Sequence, residues 1–76
     1  MSNPAPVVDV ASNSVTVGAT TYAIQALSED TFTVLVAGVP VGRIIYTFGA
    51  ANGVPEGDST SEETLTAIAE AWFAAI

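Results

Sequence analysis

Apolar and polar residues alternate with a period of two over residues 20–27, 31–37 and 41–48, and turn-forming residues separate these runs. A period of two belongs to strands, because successive side chains leave a strand on opposite faces. Between residues 31 and 37, Phe32, Val34 and Val36 take one face, and Thr31, Thr33 and Leu35 take the other. Between residues 41 and 48, Ile44, Tyr46 and Phe48 alternate with Arg43, Ile45 and Thr47. In residues 20–27, Tyr22, Ile24 and Ala26 oppose Thr21, Ala23 and Gln25.

The separators are Ser12-Asn13-Ser14, Gly18-Ala19, Ser28-Glu29-Asp30 and Gly38-Val39-Pro40. Their side chains bond their own backbone, permit a positive φ, or preset a turn. Shorter strands are expected at residues 7–11 and 14–17. Residues 1–6 hold two prolines and read as an extended arm. Residues 49–58 contain three glycines, a proline and an Asn-Gly pair, which predicts a loop.

From residue 59 the period changes. Leu65, Ile68, Ala69, Trp72 and Ile76 form one stripe at helical spacing, with Thr66 and Glu70 opposite and Phe73 at the margin. Ser59 and Thr60 each precede a glutamate by three residues, so either is placed to open a capping box over residues 59–76. The expected fold is α+β. An antiparallel meander of four to five strands carries one C-terminal amphipathic helix on one face, in a single domain spanning residues 1–76. Leu65, Ile68 and Trp72 are expected to sit on the face of Ile44, Tyr46 and Phe48.

A chain of 76 residues buries only roughly 60% of its unfolded surface, so small domains lean on a staple or a neighbour. Cysteine and histidine are absent, which removes disulfides, thiolate sites, and the commonest zinc ligand and general base. Half of the residues are hydrophobic and 12% are charged, against about 25% charged in a typical soluble domain. Some apolar groups must therefore lie outside the core, where they often mark an interface.

The net charge is −7, from eight acids and one base, Arg43, with no lysine. Direct nucleic-acid binding needs cations to displace counterions, and anionic membranes attract the same residues, so neither partner is expected. A protein partner is: copies of the chain, other subunits, or a basic protein. No secretory signal is evident, and no stretch of about 18 apolar residues is present.

Chemistry is sparse. No His, Cys or Lys is available to activate a nucleophile. Glu29 and Asp30 lie in a turn, and Glu56, Asp58, Glu62 and Glu63 lie at a helix start, where turn formation and capping account for them. The spacing from Glu56 to Glu63 does not match an EF-hand loop, and Gly49 to Gly53 lacks the lysine of a phosphate loop. No catalytic, cofactor-binding or metal-binding residue is expected, and no enzymatic activity.

The candidate site is an interface. On the sheet face away from the helix it comprises Val41, Arg43 and Ile45, and on the helix Phe73 and Ile76. The function expected is a non-catalytic protein–protein interaction, as a structural subunit of a larger assembly in the cytoplasm or a virion. In general style the chain resembles small bacteriophage virion components. The alternative is a small acidic inhibitor of a basic nucleic-acid-binding protein, similar in charge to anti-CRISPR proteins and DNA mimics.

Overall fold

The computed structural model describes residues 5–76, so most of the expected arm at residues 1–6 lies outside the described residues. Six strands follow one another: β1 (Val7–Asp9), β2 (Ser14–Val17), β3 (Thr20–Ala26), β4 (Thr31–Val36), β5 (Val39–Thr47) and β6 (Ala50–Pro55). They form one antiparallel sheet in sequence order, and helix α1 (Glu62–Ala75) closes the chain. The α+β class, the meander and the C-terminal helix are as the periodicity predicts. The strand number is six rather than four or five.

The additional strand is β6, which occupies most of the expected loop at residues 49–58. Its breaker residues have positional reasons. Gly53 lies under the helix, where a Cβ would fall 2.5 Å from backbone atoms of Leu65 and Thr66. Pro55 is tolerated because β6 is an edge strand.

Tight turns set the register. Val17 pairs with Thr20, Val36 with Val39 and Thr47 with Ala50, which leaves two-residue hairpin loops. Ala37-Gly38 and Phe48-Gly49 all have positive φ, the requirement of a type I′ turn. At the β1–β2 turn, the Ser12 hydroxyl and amide bond Asp9 and hold its carboxyl below the usual carboxylate range. A carboxylate shifted down stabilises the fold above its unfolded pKa, and that contribution is lost as pH falls through the folded value. Carboxyl NMR titration should find Asp9 below the ordinary aspartate midpoint, and Ser12→Ala should move it upward. An unmoved midpoint in that variant would show that the Ser12 hydroxyl contributes nothing.

A flat six-stranded sheet would be roughly 24 Å across, and a helix is only about 10 Å wide. Yet α1 contacts β1 and β2 at one side and β5 and β6 at the other. The sheet therefore curls into a half-barrel with the helix in its concavity. Val15, Tyr22, Ile24, Val34, Val41 and Ile44 from the sheet meet Leu65, Ile68, Ala69 and Trp72 from the helix, all buried.

Three positions depart from expectation, the first being Tyr46, expected under the helix beside Ile44 but 43% exposed and packed against Phe73. Leu35 faces Pro40 while Val34 faces Gly42, so Val41 is an extra residue in a β-bulge. The bulge reverses the local alternation, and Val41 is 4% exposed in the core rather than on the outer face. Phe48, expected beside Ile44 in the core, is instead fully exposed at the β5–β6 tip. Strand β5 ends at Thr47, and the turn carries Phe48 away from the sheet.

The helix begins later than residue 59. Ser61, in extended conformation, is the N-cap and accepts a hydrogen bond from the Thr64 amide at 3.2 Å. Ser59 and Thr60 precede it. Thr66 is not opposite the buried stripe: its hydroxyl oxygen accepts from the Gly53 amide at 3.3 Å, tying the helix to β6. Ile76 is the C-cap and is 58% exposed, so the stripe ends at Trp72.

Candidate functional site

One end of the half-barrel gathers the β1–β2, β3–β4 and β5–β6 turns. The C-terminal end of α1 reaches the same pole, where Phe73 packs against Tyr46 with ring centroids 5.3 Å apart. The Tyr46 amide donates to the Asp30 carbonyl at 2.9 Å, which binds the β3–β4 turn to this corner. Aromatic rings run from the core to the surface here. Trp72 meets Phe32 at 5.7 Å, Phe32 meets Phe73 at 5.5 Å, and Phe73 meets Tyr46. Each of the first two pairs is edge-on, the arrangement favoured by ring quadrupoles.

Beyond Tyr46 a groove of about 490 Å³ opens, lined by Gly49, Ala50, Ala51, Glu70, Phe73 and Ala74 as well as Tyr46. Phe48 stands beside it on the hairpin tip. The electrostatics of this pole are one-sided. The acids Asp9, Glu29, Asp30 and Glu70 lie toward it, and the other four lie toward the helix N-terminus. The last turn of α1 has no basic residue, although its unpaired carbonyls favour a cation there.

The candidate interface residues separate onto two surfaces. Arg43 and Ile45 project from the convex, uncovered face of the sheet, Arg43 opposite Thr33 and Val54, and Ile45 opposite Thr31 and Asn52. Arg43 is exposed and Ile45 half-buried. Arg43 has the sheet between it and the helix glutamates, and among the described residues it makes no ion pair. Phe73 and Ile76 belong to the pole. Phe73 is half-buried between Phe32 and Tyr46, so it supports the groove wall as well as lining it. Val41 leaves the set because it is buried.

Sequence periodicity missed Phe48 as a surface residue. The available signal was the Phe-Gly pair followed by small residues, which marks a two-residue turn as readily as a strand end.

The sheet's β6 edge is blunted. The Tyr46 amide points to β4, so along β5 the amides of alternate residues face away from β6. By the same alternation, Ala51, Gly53 and Pro55 turn their backbone groups to the free edge. Pro55 has no amide hydrogen, and the Gly53 amide is taken by Thr66. Little remains to pair with another strand.

Among the described residues no group of three or more acidic side chains is placed to hold a metal, and no helix is long and apolar enough to cross a membrane. No family model, curated protein or solved structure matches the chain.

Proposed function

We propose that this chain is a non-catalytic subunit of a larger protein assembly, in the cytoplasm or a virion, joined to a neighbour through the pole that carries Phe48. The supporting observation is Phe48 itself. It is fully exposed and has a φ of 52°. A bulky residue in the left-handed region costs about 1–2 kcal/mol, and an exposed aromatic returns none of it through burial. The turn accounts for the backbone conformation, as it does at Ala37 with the same φ of 52°, but not for a large aromatic at a position where a small polar residue is preferred. A neighbour that covers the ring recovers its apolar area, and exposed aromatics next to a groove are the usual anchors of interfaces.

Phe48→Asn separates folding from docking. Asn-Gly is the preferred pair for this turn, so the variant should be more stable by about 1 kcal/mol. Its melting temperature should rise by about 4–8 °C. Light scattering after size exclusion should show the wild type growing beyond 7.7 kDa as concentration rises, and the variant remaining at 7.7 kDa. A variant that associates as the wild type does would remove Phe48 from the interface.

A further inference from the structure

We infer that the neighbour is a second copy of this chain docked head to tail, with Arg43 on the convex face of one copy seated at the Glu70 groove of the next. The inference rests on the docking role given to the Phe48 pole. It names the occupant from charge: the chain has one cation, and Arg43 stands alone on the convex face without a carboxylate partner among the described residues. The pole offers what a guanidinium needs. Glu70 supplies a carboxylate on the groove wall, Tyr46 and Phe73 supply ring faces, and the helix C-terminus supplies unneutralised carbonyls.

The two surfaces also suit each other. Around Arg43 the convex face carries Thr31, Thr33 and Thr47 beside the apolar Leu35, Ile45 and Val54. A protruding Phe48 can lie across such a surface while Arg43 enters the groove beside it. Continuation of the sheet through β6 is disfavoured by Pro55 and by the Thr66 cap on Gly53, so contact through side chains is the route left at this edge. Because the two surfaces differ, the contact is heterologous, and repetition gives a ring or a filament.

Two assembly-deficient variants test this together. Arg43→Glu disables the convex face, and Phe48→Asn disables the pole. Both residues are exposed, so circular dichroism should show native folds. Each variant alone should stay at 7.7 kDa. Mixed in equal amounts at millimolar concentration, they should form a heterodimer of twice that mass and grow no further, because one copy retains only a pole and the other only a convex face. A mixture that remains monomeric while the wild type assembles would overturn head-to-tail docking, yet leave the Phe48 pole as an interface of another kind. A wild type that stays monomeric throughout would overturn docking of a second copy. Assembly by Phe48→Asn alone would overturn the role of the pole itself.

Discussion

Gly53→Ala is expected to be among the most damaging single-methyl changes in this chain. The added Cβ would sit 2.5 Å from the carbonyl carbon and Cβ of Leu65 and the amide nitrogen of Thr66. Two of those atoms are helix backbone, which no rotamer change can move aside. The helix must retreat from β6, and the Thr66 hydroxyl then loses the Gly53 amide. Overpacking typically costs about 1–3 kcal/mol, and a backbone clash belongs at or beyond the upper end. A 76-residue domain has roughly 4–11 kcal/mol in total, so the variant should lose a large share of its stability and melt far below the wild type. Gly42→Ala makes a useful contrast. There the nearest atom belongs to the Leu65 side chain, which can rotate, although the Val54 carbonyl at 2.8 Å keeps the change harmful. Thermal and denaturant melts should rank wild type above Gly42→Ala above Gly53→Ala. A Gly53→Ala melt within a few degrees of wild type would mean that the helix does not pack this closely on β6.

Trp72→Ala should be at least as severe, at about 3–5 kcal/mol. Trp72 is 3% exposed, and it meets Phe32 edge-on at the centre of the ring series. Truncation opens a cavity between helix and sheet and takes the support from Phe32, and so from Phe73 and Tyr46. Trp72→Phe should be far milder. Among the described residues no acceptor reaches the Trp72 indole N–H, which is buried. Phenylalanine gives up some volume but removes an unsatisfied donor, whose burial costs about 1–3 kcal/mol. If Ala and Phe at this position melt alike, volume is not what Trp72 contributes.

The helix and the central strands were legible because one rule of periodicity governs each. Leu65, Ile68, Ala69 and Trp72 are buried as their spacing predicts, and so are Tyr22, Ile24, Val34 and Ile44. The failures came where a residue answers to a neighbour remote in sequence. Gly53 reads as a breaker until Leu65 is above it. Pro55 reads as a loop residue until β6 is known to be the edge. Val41 reads as outward until the bulge between Val34 and Leu35 shifts the register. Ser59 and Thr60 matched a capping pattern, but the cap fell one residue later, on Ser61. Of the candidate interface, Arg43, Ile45 and Ile76 retain exposed or half-exposed positions and Phe73 lines the groove, while the most exposed aromatic, Phe48, had been assigned to the core by simple alternation.

The strand order has a consequence for how the molecule is made. Each strand pairs with its neighbour in sequence, so each hairpin closes a short loop at low entropic cost, and such local topologies fold fast for β-rich proteins. The helix is different. It engages both sides of the curled sheet, β1 and β2 as well as β5 and β6. Until it does, the concave surface of Val15, Val34 and Ile44 stands open to water. The helix is thus the keystone of a row of hairpins: the concave surface is closed only when α1 is seated.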